Sequence, residues 1–381
     1  LGSVPGMILV KCTSNSGDWV VYHRGLSNPT GNMLQLNSTT SEIQGRWNNT
    51  APTSTEFTLN DSLGVNGTGR TFVAYLFAHN NNDGDFGPTG SDDIIKCGSY
   101  TGNGSSTGPV IDLGFEPQWV IIKSASASHP WFIIDVMRSW SAAPSANTLQ
   151  ANSTAAEDPA GTRVKPTATG FQIITTSNDY NNNGHNFIYM AIRRGPLATP
   201  TAATNVFAID NQTVSSAPFL TSNFPVDFVL RKDTAGSNSE IMARMTEGKG
   251  LFANSTSAEQ SDSVAKFDFM DGCLDNTSTD TSRYGWMWKR APGYFDVVAY
   301  SGTGSARTVS HNLGAVPEMM WVKSRSSSDA WHVYHSALGN EAYLQLNSSN
   351  AQVTGEANRW NSTTPTASVF SLGTSGSVNG R

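Results

Sequence analysis

LGSVPGMILVKCTSNSGDWVVYH, residues Leu1 to His23, decides how the rest of the chain reads, because it returns as LGAVPEMMWVKSRSSSDAWHVYH at Leu313 to His335. The likeness runs on through LQLNS (Leu34 to Ser38, Leu344 to Ser348), RWN (Arg46 to Asn48, Arg359 to Asn361) and VNG (from Val65 and from Val378). A more diverged copy lies between them: GFEPQWVIIKSASASHPWFIID at Gly114 to Asp135, LQANST from Leu149, and NFIYMAI at Asn186 to Ile192, which parallels TFVAYLF at Thr71 to Phe77. The most worn copy keeps FPVDFVLRK at Phe224 to Lys232, LFANST from Leu251 and RYGWMWK at Arg283 to Lys289.

Four stretches of roughly 90 residues follow from this self-similarity, spanning 1–79, 98–194, 205–292 and 293–381. Linkers rich in Asn, Asp and Gly, or containing Pro, are expected near 79–97 and 193–204. Both end stretches are expected to be incomplete. The first lacks a counterpart of Tyr294 to Asn312, the last stops before its closing aromatic strand, and residue 1 is not Met, so a start is expected to be cut off or unseen.

Within each stretch the apolar runs are five to seven residues long, rich in Val, Ile, Phe, Tyr and Trp, and bounded by Gly, Asn, Ser or Pro. Long windows of 3.6-residue periodicity are missing, which argues against helix. The expected fold is all-β: tandem antiparallel β-sandwich repeats of jelly-roll or lectin-like type. Two sheets around one core would bury alternate side chains and turn Ser and Thr outward. Pro5, Pro117, Pro225 and Pro317 are read at one register just ahead of a core strand, where a missing N–H costs nothing. The Asn-Ser-Thr after each Leu-Gln-Leu is expected to bond the backbone of a turn.

Composition narrows the function. Of 381 residues only 14% are charged, against roughly 25% in an average domain. The net charge of -6 comes from 30 acidic and 24 basic residues scattered singly, so no basic stripe is present to neutralise phosphates, and nucleic-acid binding is not expected. No run of about 18 apolar residues offers a membrane-spanning helix, so no membrane insertion is expected. Cys12, Cys97 and Cys273 are too few and too scattered for a disulfide framework.

The W-V-I-I-K strand, the L-Q-L-N-S-T turn and the Y-I-Y-M-A type closing strand together resemble a repeat family. That family is found in virion structural proteins of tailed bacteriophages, frequently phages of marine and cyanobacterial hosts, and the likeness covers nearly the whole chain. The resemblance implies sandwich modules similar to concanavalin-type lectin domains in a tail-fibre-like exterior component. Its partners would be other virion proteins, further copies of itself as an oligomer or fibre, and a host-surface glycan met by loops. The alternative is a secreted carbohydrate-binding or glycan-cleaving protein. A hydrolase needs two carboxylates at a fixed separation, and no acidic pair recurs between the stretches.

No enzyme is expected. Trp-x-x-Tyr-His recurs at Trp19, Tyr22, His23 and at Trp331, Tyr334, His335, with Asp18 and Asp329 nearby as general-base partners. The second copy holds Trp131, Ile134 and Asp135 there, so the Tyr-His pair is read as structural. Arg46-Trp47 and Arg359-Trp360 sit in polar stretches, where an exposed indole beside a guanidinium would stack on a sugar ring. These four residues are the ligand-binding candidates, the other reading being that each Trp folds back to cap the sandwich edge. Asn81, Asp83 and Asp85, with Asp92 and Asp93 beyond, alternate like Ca²⁺ ligands but lack a closing Glu, so a solvated linker is expected rather than a metal site. The Asn-x-Ser/Thr triplets at Asn37, Asn60, Asn152, Asn254 and Asn347 are read as turns. Nucleophile elbow, metalloprotease, Walker and zinc motifs are all missing, and no cofactor is expected.

Overall fold

The computed structural model describes residues 1–80, 93–138, 140–141, 147–158, 163–194, 199–214, 216–246, 248–262, 266–273 and 280–380. The chain is all-β, with antiparallel ladders throughout and only single-turn α-helices among the described residues. It forms two compact units, Leu1–Trp140 with Pro144–Gly195, and Ser141–Ala143 with Pro196–Arg381.

In the first unit, residues 1–79 make a five-stranded sheet from β1 (Pro5–Cys12), β2 (Trp19–His23), β3 (Asn32–Gln35), β4 (Ile43–Gln44) and β5 (Phe72–Ala78), in the order β4-β3-β2-β1-β5. Alternation along each strand sends Ile8, Val10, Val20 and Tyr22 to one face, where Trp47 and Val65 cover them. That cover is coil and one helical turn, α1 (Leu63–Asn66), in place of the expected second sheet.

The stretch 98–194 carries the full sandwich. Strands β6 (Ile95–Thr101), β7 (Val110–Asp112), β8 (Pro117–Ser124), β9 (Phe132–Asp135), β10 (Leu149–Gln150), β11 (Val164–Thr167), β12 (Gly170–Ile173) and β13 (Asn186–Arg193) form sheets β10-β9-β8-β13-β6 and β11-β12-β7. Val120, Ile122, Phe171, Phe187 and Tyr189 fill the space between them. Strand β6 begins inside the segment read as a linker, and Cys97 on it is fully buried, so that linker is shorter than the sequence suggests.

In the second unit, residues 205–292 build a six-stranded sheet, β14-β21-β16-β17-β18-β19, over the two-stranded β15-β20. Its strands are β14 (Phe207–Gln212), β15 (Leu220–Thr221), β16 (Phe228–Asp233), β17 (Glu240–Ala243), β18 (Lys249–Phe252), β19 (Gln260–Ser261), β20 (Gly272–Cys273) and β21 (Asp280–Trp288). Residues 293–381 pair β22 (Arg307–Ser310) with β27 (Val369–Leu372). That pair covers the sheet of β23 (Met319–Val322), β24 (His332–His335), β25 (Ala342–Gln345) and β26 (Val353–Thr354).

Two expectations are corrected. Pro5, Pro117 and Pro317 lie three positions before the first inward-facing residue of their strands, Ile8, Val120 and Met320, but Pro225 lies four positions before Val229. Pro225 is therefore one residue out of register, and the buried Val226 takes the proline's place. The second correction concerns the outward faces of β1 and β8. They do not carry hydroxyls to solvent but meet each other, which is why PGMILVKC and PQWVIIKS read as almost continuous apolar runs instead of alternating ones.

Candidate functional site

The structure buries both indoles offered as ligand platforms. Trp47 is 2% exposed and donates Nε1–H to the Asn32 carbonyl at 3.1 Å, while Trp360 is 1% exposed and donates to the Ala342 carbonyl at 3.0 Å. Each stands edge-on to the tyrosine of the Tyr-His pair, Tyr22 at 5.5 Å and Tyr334 at 5.9 Å between ring centroids. The expectation of an exposed stacking indole is thereby corrected, since the polar flanks of Trp47 and Trp360 belong to the layer that covers the sheet. Arg46 bonds the Gln44 and Gly45 carbonyls. Arg359 bonds Ser375 Oγ and Tyr343 Oη and lies 3.9 Å from the Tyr343 ring centroid.

The histidines hold turns. His23 Nδ1 accepts from Gly25 N–H and His335 Nδ1 from Ala337 N–H, and Asp135 Oδ1 does the same for Met137 N–H. An acceptor two residues before an N–H is all the turn requires, which explains why Asp replaces His in the second stretch.

One bond occurs at four places. Asn37, Asn152, Asn254 and Asn347 each accept, through Oδ1, the backbone N–H of Trp19, Trp131, Ser239 and Trp331, at 2.8–3.0 Å. The N–H just before each Asn donates in return to the carbonyl of that same residue 19, 131, 239 or 331. A lysine at the end of the preceding strand, or just past it in the case of Lys323, caps the adjoining hairpin each time: Lys11 to Gly17 O, Lys123 to Ser124 and Ala127 O, Lys232 to Ser237 O, Lys323 to Ser324 and Ser327 O. The third stretch differs only in carrying Ser239 where the others carry Trp.

That Trp marks the site the structure adds to the sequence reading. In the first unit the outward faces of the two five-stranded sheets close on one another, with Met7, Val21 and Leu34 against Ile121, Trp131 and Met190. Trp131 is 1% exposed, and its Nε1–H reaches across to the Gln35 carbonyl at 2.9 Å. Glu42 N–H donates to the Ala125 carbonyl, Lys123 Nζ to the Thr39 carbonyl and Asn186 Nδ2 to the Gly25 carbonyl. His23 Nε2 lies 3.0 Å from the Tyr189 carbonyl. Burial dominates the electrostatics here. It pushes His23 down to about 3, lowers Lys123 to about 8 and drives the Cys97 thiol well up.

In the second unit the indole bond and the Glu42-type bond recur at matching positions, and the matching Thr carbonyl is met by other donors. Trp331, 5% exposed, donates Nε1–H to the Phe252 carbonyl at 2.8 Å, and Phe252 occupies the place of Gln35. Glu259 N–H donates to the Arg325 carbonyl, as Glu42 does to Ala125. Asp329 N–H and Ser328 Oγ donate to the Thr256 carbonyl, the counterpart of Thr39. An Arg325–Glu259 ion pair, with contacts of 2.7 and 2.9 Å, is added here. Each pair of stretches thus docks the hairpin and Trp of the later one onto the turn of the earlier one.

Other chemistry is sparse among the described residues. A cleft beside Ser239 is lined by Arg231, Asp233, Glu240, Phe252 and Arg283, but its charges pair with each other as Arg231–Glu240 and Arg283–Asp233. No group of three or more His, Cys, Asp or Glu is gathered as for a metal among the described residues. Of the proposed Ca²⁺ run, Asn81, Asp83, Asp85 and Asp92 lie outside the described residues, and Asp93 pairs with Lys96 at 3.0 Å. The three cysteines form no disulfide.

Comparison with curated proteins and with solved structures returns no match. A family model does match, over residues 1–196 and 204–381, and those two spans run parallel to the two compact units. The chain belongs to the family described as Domain of unknown function (DUF7483).

Proposed function

We propose that this chain is a structural protein of the exterior of a bacteriophage virion, tail-fibre-like, whose stacked modules build a surface that meets the host. The observation that supports this most is the seam: Trp131 to Gln35 and Trp331 to Phe252 join like stretches by like bonds. Modules that contact their neighbours through a repeated interface add stability along the array and need no large common core. A neutral surface rich in hydroxyls and amides, carried in many copies, suits weak loop contacts to a glycan multiplied by avidity. Structural work of this kind needs no catalytic constellation. The test is immunogold electron microscopy, with antibody to residues 1–381, on virions whose genome encodes the chain. Gold on the tail or its appendages supports the reading. Intact virions that carry no label, with the protein found instead in the host's secreted fraction, overturn it.

A further inference from the structure

Each half of the seam is also found on a stretch where, among the described residues, no counterpart meets it: the indole side on the first stretch and the turn side on the fourth. Trp19 stands where Trp131 and Trp331 stand, bonded to the same Asn and flanked by the same hairpin lysine. None of the described residues covers it as its counterparts are covered. It is half-buried, Tyr75 tilts against it at 6.0 Å, and Lys11 Nζ sits 5.9 Å from its ring centroid. Among the described residues no bond is made to its Nε1. Tyr75 is 47% exposed, whereas Met190, at the equivalent place opposite Ile121 on β8, is buried in the seam. The complementary surface is open on the fourth stretch. Gln345 holds the position of Gln35 and Phe252, and its carbonyl already takes the turn's Ser348 N–H, as Gln35 takes Ser38 and Phe252 takes Ser255. In Gln35 and Phe252 the same oxygen also receives an indole N–H. Leu346 is 37% exposed, while its counterpart Leu36 packs into the seam of the first unit.

We propose that Trp19 of one copy of this chain docks on the Gln345–Leu346 turn of a second copy, repeating between molecules the contact made twice within each. The second copy is the occupant because both halves of a twice-used interface are displayed on one molecule, on different stretches. Such a contact is head-to-tail, and a head-to-tail contact extends instead of closing at two. Trp19 supplies an aromatic anchor of the kind that dominates interface energetics. The inference rests on the structural reading above and specifies the surface by which such a protein would assemble.

Sedimentation velocity on residues 1–381 tests it. The weight-average mass is expected to climb past that of a dimer as concentration rises toward about 100 µM, for a contact of Kd on the order of tens of micromolar. Trp19→Ser copies what the chain itself places at Ser239 and should weaken association about 30-fold, the loss of one anchor. Leu346→Asp, at an exposed position on the other surface, should do the same. An equimolar mixture of the two variants retains one good surface of each kind, so it should form a one-to-one dimer and stop there. A wild-type chain that stays monomeric across the range overturns the contact, as does a mixture in which the variants fail to rescue each other. Either result leaves virion labelling to decide the broader reading, so the two failures are told apart.

Discussion

The two seams share a hydrogen-bond frame and differ in what fills it. In the first unit, apolar side chains from both sheets meet, and the ionisable groups caught there, His23 and Lys123, lose their charge more readily than in water. In the second unit the corresponding strand β23 leaves Met319 and Trp321 exposed, and the frame is reinforced by the Arg325–Glu259 pair. Main-chain carbonyls and an indole N–H therefore fix the register of docking, while the side chains between them set its strength and its response to pH and salt. Bonds to the backbone survive changes of neighbouring side chains, which is how Gln35 and Phe252 can serve the same role.

The largest effect should come from Trp131→Ala, which empties the middle of the apolar seam and removes the bond to Gln35. A loss of about 3–5 kcal/mol is expected in urea unfolding of the first unit, whereas Trp19→Ala, at a half-buried position, should cost about 1 kcal/mol or less. Equal losses would erase the distinction between the covered and the open indole. Gly6→Ala comes next. A Cβ there would sit 2.6 Å from Cys97 Cβ, so overpacking should destabilise the same transition by about 1–3 kcal/mol.

The pH response separates the seams more finely. His23 stays neutral in the fold down to about 3 because burial penalises its charge, yet in the unfolded chain it takes a proton near its ordinary value. The unfolded state thus binds more protons between those two values. The stability present above about pH 6.5 is lost by up to about 1.4 kcal/mol per pH unit as pH falls toward the folded value. His23→Gln should flatten that slope in the first unit, as read by urea midpoints at pH 7 and pH 5. His311 and His332, also lowered by burial, maintain an acid sensitivity of their own in the second. The smallest effect belongs to Glu259→Gln. The pair with Arg325 is partly exposed, so the cost should be under about 1 kcal/mol and should shrink in about 1 M salt, to which the apolar seam is indifferent.

The sequence made the β-rich stretches, the Asn-held turns and the structural use of Tyr22 and His23 legible, because each depends on local spacing. The seam was harder to see. A strand buried on both faces loses its alternation, and WVIIK cannot say which of its sides faces its own core and which faces another stretch. Trp47 and Trp360 misled for a related reason: their polar neighbours bond to backbone within a covering layer, so local polarity did not mean exposure. The third stretch was legible as a copy from its flanking runs, but Ser239 concealed the residue that aligns with Trp19, since the part that recurs there is the backbone N–H bonded by Asn254, and an N–H leaves no mark in the sequence.

Indole N–H hydrogen exchange, followed by NMR on protein labelled with ¹⁵N at tryptophan, reads the seams directly. Trp131 and Trp331 should exchange slowly and together with the core indoles of Trp47 and Trp360, while Trp19, at a concentration low enough to keep the chain monomeric, exchanges fast. Should Trp131 and Trp331 exchange as fast as Trp19 under those conditions, the like stretches do not dock as described.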